Sequence, residues 1–233
     1  MSDSIRRQQE EAVQQMLDSF SAGTLRPSVV EMRQDYENDP AICTTSVALP
    51  PKALLDRIEA QILTPLRALE PDHYYYPTSS FHMTIRNVRT IDADDLSEGD
   101  LQKVEALFAE EVPQHVVFPV MFDRFARYPT SLALIGYTNR EHVELVASLG
   151  EGLERVGVPD DKVYARDDLF WMSMTVCRLS HEPSEQFLKE VERLEHALSE
   201  TVQVSEVQLV QCNAVFAETS RVMLGTYSLS PSK

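Results

Sequence analysis

The chain has 233 residues, 43 % of them hydrophobic and 25 % charged, a composition that supports a sizeable apolar core. Its formal net charge of −16 opposes binding to long nucleic acid, because phosphate backbones are held by basic surfaces. No apolar run approaches the roughly 20 residues that cross a bilayer, and the N-terminus MSDSIRRQQEEAVQQ lacks the apolar segment of a secretory signal. These features predict a cytoplasmic protein without membrane contact.

Residues 4–22 read as an amphipathic helix, with Val13, Met16, Leu17 and Phe20 on one face and Gly23 just past its end. The polar, punctuated stretch TLRPSVVEMRQDYENDP then reads as a connector. Residues 1–39 are accordingly expected to be a helical extension, which covers apolar surface on the body or mediates self-association, and residues 40–233 the main domain.

Within that domain, 41–49 reads as a strand, and Pro50-Pro51 open a helix whose Leu54, Ile58, Ile62 and Leu66 keep helical spacing, with a kink expected at Pro65. A link, HYYYPTSS, leads to a strand at 80–88, and a helix starts near Ser97. Strands near 116–125 and 131–137, a helix over 140–155 and a strand at 169–178 follow. Pro183-Ser184 begin the last helix, and the runs 202–212 and 221–229 read as a hairpin or edge pair. The order strand–helix–link–strand–helix thus occurs twice, offset by about 90 residues. It predicts an α+β protein with two pseudo-symmetric lobes, each an antiparallel sheet with helices on its outer face, and a cleft between them.

Period-two alternation in strand 80–88 sets His82, Thr84 and Arg86 on one face, against Met83 and Ile85 on the other. An imidazole, a hydroxyl and a guanidinium in a row suit a phosphate: a proton carrier, a neutral donor and a charge partner. A hydrogen-bonded strand histidine with no further role is the plain alternative. The matching strand of the second half, WMSMTVCR, sets Ser173, Thr175 and Cys177 on one face, so that Ser173 aligns with His82 and Thr175 with Thr84. Arg178 follows that motif as Arg86 follows the first, and Arg124 and Arg127 flank the intervening strand; each has a surface salt bridge as its plain reading.

The paired motifs FHMTIR and SMTVCR resemble those of two-histidine (2H) phosphoesterases, the fold of RNA-end cyclic phosphodiesterases and 2′–5′ RNA ligases. The resemblance spans about residues 40–230, with serine where the second histidine belongs. It implies metal-independent chemistry without a cofactor, on a small nucleotide or RNA terminus. One histidine would take a proton from the attacking oxygen, the other would give one to the leaving oxygen, and the Thr hydroxyls would hold the phosphate. Carried over, His82 is one proton carrier, Thr84 and Thr175 are clamps, and Ser173 occupies the second carrier's place. Arg86, Arg178 and Tyr76 (one of the tyrosines before the first motif) complete the expected substrate-binding set.

A serine hydroxyl moves no proton usefully near neutral pH without a base beside it, and loss of one acid or base costs about 10²- to 10⁴-fold in rate. Three readings follow: a slow cyclic phosphodiesterase, a nucleotide- or phosphate-binding module, and an interaction protein with a vestigial cleft. His142 and His196 read as solvated or capping groups on helices, and His181 as a polar loop residue. Cys43, Cys177 and Cys212 sit in separate strand-like runs with no C-x-x-C pair and read as small buried hydrophobes, with no metal site.

Overall fold

The computed structural model describes residues 3–24, 30–91, 93–164, 166 and 168–231. Part of the expected connector, residues 25–29, lies outside the described residues. The elements run α1 (Asp3–Ser21), β1 (Cys43–Ala48), α2 (Lys52–Ile58), α3 (Thr64–Leu69), β2 (Tyr74–Tyr75), β3 (Met83–Arg89) and α4 (Glu98–Glu111). After these come β4 (Phe118–Tyr128), β5 (Ser131–Tyr137), α5 (Arg140–Arg155), β6 (Met172–Arg178), α6 (Glu185–Arg193), β7 (Glu200–Val204), β8 (Glu206–Cys212) and β9 (Val222–Ser228). No helix among the described residues is long and apolar enough to cross a membrane.

The strands form two antiparallel sheets in the orders β3-β1-β8-β9 and β2-β6-β5-β4-β7. The architecture is the expected α+β pair of lobes, but each lobe draws strands from both halves of the chain. The short β2 crosses to pair with β6, and β8 and β9 return to pair beside β1. The run at 202–212 is therefore not one strand. It divides at Ser205, with β7 on the edge of the second sheet beside β4 and β8 inside the first, so this segment ties the two lobes.

Helices α4 and α5 pack on each other, and α3 packs on α6. Ser97 caps α4 and Ser184 caps α6, each accepting a hydrogen bond from the backbone N–H three residues on. Between α2 and α3 the expected kink at Pro65 takes the form of a π-helical turn over Glu59–Leu63, one turn earlier. The physical reason is that proline removes a donor and crowds the preceding turn, which widens to re-pair its carbonyls; the Thr64 N–H reaches Glu59 O. Helix α1 lies on β4 and β5, with Val13 and Leu17 against Ala126, Ile135 and Tyr137. Gln9, fully buried, anchors it by donating to Thr138 Oγ1 at 2.9 Å and Phe170 O at 2.6 Å.

Both motif-bearing strands, β3 and β6, carry a β-bulge. Val47 pairs with Thr84 and Ser46 with Arg86, so Ile85 is an extra residue in β3. Ala133 pairs with Thr175 and Leu132 with Cys177, so Val176 is the extra residue in β6. A bulge resets the side-chain alternation downstream of it. Arg86 and Cys177 consequently do not share a face with the residues two before them, contrary to simple period-two alternation. Arg86 turns toward α5, where it donates to Val146 O at 2.9 Å, pairs with the buried Asp160 and lies 5.1 Å from the Tyr164 ring. Gly150 makes room for it, since a Cβ there would come within 2.6 Å of the guanidinium carbon.

Arg86 is thus a buried tie between sheet and helix. Arg86→Ala is expected to lower the unfolding free energy in urea by about 3–5 kcal/mol, the cost of orphaning one member of a buried ion pair. A loss under about 1 kcal/mol, typical of solvated pairs, would show that the Asp160 contact is not a buried one.

Candidate functional site

The cleft between the sheets has a volume of about 580 Å³ and is lined by His82 and Thr84 from the first lobe and Ser173, Thr175 and Arg178 from the second. β3 and β6 approach each other across it. Arg86 and Tyr76 are not among its lining residues. The bulges explain the first departure and complete the second lobe: Ile85 and Val176 shift the next inward position by one, bringing Asn87 and Arg178 into the cleft. The two inward sets, His82-Thr84-Asn87 and Ser173-Thr175-Arg178, match member for member at an offset of 91 residues. Sequence alternation missed Asn87 because nothing in the strand itself marks where its partner skips a residue.

His82 is half-buried at the entry to β3, and its Nδ1 lies 2.9 Å from Ser80 O. A carbonyl only accepts, so Nδ1 carries the proton and Nε2 keeps a lone pair. The ring rests on Phe216, centroids 4.6 Å apart. Burial pushes its pKa down to about 4, aided by the charges of Arg178 and Arg221 and opposed by the Ser80 hydrogen bond. At neutral pH it is an uncharged imidazole equipped to accept a proton.

Phe216 holds its place through an unusual backbone, with φ of 56° in the left-handed region that bulky side chains avoid. Asn213 fixes this turn: its Oδ1 accepts from the N–H groups of Val215 and Ala217, at 3.2 and 3.1 Å, and its Nδ2 donates to Glu37 O at 3.0 Å. Arg221 lies over the Phe216 ring, 3.7 Å from its centroid. Strain at this position thus serves to seat the histidine.

Arg178 is a cation of the cleft held by side-chain hydrogen bonds. Its Nε donates to Tyr76 Oη at 3.2 Å and its Nη2 to Ala214 O at 3.2 Å. No carboxylate lies within ion-pair distance of it among the described residues. Tyr76 is buried and passes its own hydroxyl proton to Ala214 O at 3.1 Å, so it positions Arg178 rather than lining the cleft. Lys162 also lines the cleft, with its pKa lowered by burial and by the nearby Arg178 charge. Arg124 and Arg127 pair instead with Glu195 and Glu182, in line with the salt-bridge reading.

One wall is aromatic and apolar. Met16 and Phe20 of α1 reach it beside Tyr128 and Trp171, with the Phe20 and Tyr128 rings 5.7 Å apart. Helix α1 therefore contributes to the cleft itself, which the sequence alone did not indicate.

The other histidines lie elsewhere. His142 is fully buried rather than solvated, 2.9 Å from Thr138 Oγ1, with burial pushing its pKa down to about 3; α5 turns that face into the core. His196 contacts Asp123 O at 2.9 Å. His73, His181 and Glu70 bring potential metal-ligand atoms within 4.8 Å of one another. The Ser180 N–H, however, donates to His73 Nδ1 at 3.2 Å. That bond puts the proton on Nε2, which faces Glu70 Oε2 at 2.8 Å, so the trio fits a close imidazole–carboxylate pair better than a ligand set.

No family model and no curated protein matches the sequence. Solved structures do match the fold. The Thermus thermophilus protein TT0787 superposes with a TM-score of 0.60 at 15 % identity, over 82 % of this chain and all of that one. A phosphoesterase matches with a TM-score of 0.57 at 14 % identity, over 81 % and 98 % of the two chains. Escherichia coli LigT matches with a TM-score of 0.55 at 13 % identity, over 82 % and 99 %. The chain therefore shares the two-lobed fold of these proteins, a phosphoesterase and LigT among them.

The protonation state of His82 is directly measurable. Nitrogen chemical shifts of labelled histidine are expected to show an Nδ1–H neutral ring at pH 6 that gains its second proton only near pH 4. The folded state then binds fewer protons than the unfolded chain between pH 4 and the ordinary histidine value near 6.5. Stability from this source is full above about pH 6.5 and falls as the pH drops through that window. Titration of His82 near 6.5 would contradict the buried, Ser80-bonded geometry.

Proposed function

We propose that the cleft binds the phosphate of a nucleotide or RNA terminus, 2′,3′-cyclic phosphates included, and that His82 gives it slow hydrolytic turnover. The observation that carries this reading is Arg178, a cation without a carboxylate partner among the described residues, aimed into a cleft between two threonines. A guanidinium so placed favours an anion, and Thr84 and Thr175 offer donors to its remaining oxygens. Escherichia coli LigT has been crystallised with phosphate, with ATP and with 3′-AMP, which supports a nucleotide phosphate as the ligand class.

His82 Nε2 would take the proton of the attacking water or hydroxyl. Opening a cyclic phosphate also needs a proton delivered to the leaving oxygen, and Ser173 stands where the second imidazole would supply it. The leaving oxygen must then draw its proton from solvent, which sets the slow rate. Phe20, Met16, Tyr128 and Trp171 would receive the base or ribose beside the phosphate.

The same missing imidazole favours a second reading, binding without turnover. Metal-free assays with 2′,3′-cyclic nucleotides, run beside inorganic phosphate and 3′-AMP titrations, separate the two. Arg178→Met is expected to abolish saturable binding of all three ligands. Ser173→His is expected to raise cyclic-nucleotide turnover by about 10²-fold or more, the usual contribution of one general acid or base. Wild-type turnover that vanishes in His82→Asn supports the slow phosphodiesterase; binding without turnover supports the module. Absence of binding by wild type would overturn both.

A further inference from the structure

We propose that Cys43 and Cys212 form a peroxide-oxidisable thiol pair in the cleft wall, which closes to a disulfide across β1 and β8. The two residues are directly opposite each other in the antiparallel pairing of these strands. Directly opposed residues have Cα atoms about 4.5–5.5 Å apart, inside the span of about 4.4–6.8 Å that a disulfide bridges. Both are free thiols, with their sulfurs 3.8 Å apart. Side-chain rotation alone brings them to bonding distance, with the strand register unchanged.

The pair is asymmetric in the way thiol oxidation requires. Cys43 is half-buried while Cys212 is almost wholly buried, and both line the cleft. Cys43 is also the thiol whose ionised form is favoured, by its hydrogen bond with Cys212 first and then by the cations Lys162 and Arg178. The more accessible and more acidic sulfur is the one placed to meet an oxidant. Cys177 supplies an internal comparison: it is fully buried, burial raises its pKa, and no second thiol contacts it among the described residues.

The chemistry balances with hydrogen peroxide as oxidant. The Cys43 thiolate attacks one peroxide oxygen, the O–O bond breaks, and hydroxide leaves as water with the thiol's former proton. The resulting sulfenic acid is attacked at sulfur by Cys212, the S–S bond forms, and the S–OH oxygen leaves as water with the Cys212 proton. Two thiols lose two electrons in all, and one peroxide becomes two waters. The bond would pin the ends of β1 and β8 beside Arg178, in the wall of the proposed phosphate site.

The test uses reduced full-length protein and stoichiometric hydrogen peroxide, followed by alkylation and non-reducing peptide mapping by mass spectrometry. The expected result is a Cys43–Cys212 cross-linked peptide with Cys177 recovered as an alkylated thiol. In urea the selectivity should be lost, with Cys177 joining the reaction. Cys212→Ser is expected to leave Cys43 as a sulfenic acid trapped by dimedone, and Cys43→Ser to remove the native protein's peroxide consumption. Native protein in which no thiol reacts, in which Cys177 reacts as fast as Cys43, or in which Cys43 proceeds to sulfinic acid without cross-linking would overturn the proposal. Because the readout is covalent, it stands apart from whether the cleft binds a nucleotide.

Discussion

The two lobes meet at Arg178, and the cleft's chemistry depends on how that side chain is held. It projects from the inner strand of one sheet and donates to the Ala214 carbonyl, in the turn that follows an inner strand of the other. Tyr76 supports it from the link that leads into β3. All its observed partners are neutral oxygens. These satisfy hydrogen bonds without neutralising charge, so a full positive charge remains directed at the cleft. In a chain with sixteen more acidic than basic side chains, such a charge is unusual and chemically specific. Other arginines of the lobes, such as Arg86 and Arg124, are paired with carboxylates, while Arg89 and Arg221 donate to backbone carbonyls.

Part of this was legible in the sequence. Period-two alternation brings His82 with Thr84 and Ser173 with Thr175, and all four line one cleft, because each pair lies before its strand's bulge. Residues beyond the bulge were not legible. Arg86 and Asn87 exchange faces through Ile85, and the skip is a property of the pairing with β1, which no local pattern in β3 records. The same limit hid the break at Ser205, where a strand-like run changes sheets without a glycine or proline to mark it. It also hid the thiol pair, since Cys43 and Cys212 are far apart in sequence and become neighbours only through register. His142 was misjudged for another reason: its spacing to Leu145, Val146 and Leu149 places it on the apolar face of α5, and its polar side chain was weighed above that spacing.

The histidine and its surroundings show how one residue's protonation is fixed by several modest contacts. Ser80 O selects the tautomer, Phe216 excludes water from one face of the ring, and Arg178 and Arg221 disfavour a second positive charge nearby. These influences converge on a neutral base. The arrangement suits removal of a proton and disfavours storing one, which is the half of acid–base catalysis that a single imidazole can perform unaided. A bound phosphate would oppose the two arginine charges and return the histidine toward its ordinary range. Phosphate binding in the cleft and protonation of His82 would therefore be linked.

The internal symmetry carries this division of labour further. Bulges at Ile85 and Val176 occupy equivalent places, so each lobe presents three inward residues with the same spacing. Where the first lobe offers an imidazole, a hydroxyl and an amide, the second offers a hydroxyl, a hydroxyl and a guanidinium. The threonines are alike in both, as befits groups that would only hold oxygens. Every other position differs, and the differences are complementary: the proton acceptor lies in one lobe and the fixed charge in the other. Neither lobe would make the proposed phosphate site by itself. The lobes must keep their relative placement, and the contacts that span them, through Arg178, Tyr76 and the β7–β8 crossing, thereby belong to the site as much as to the fold.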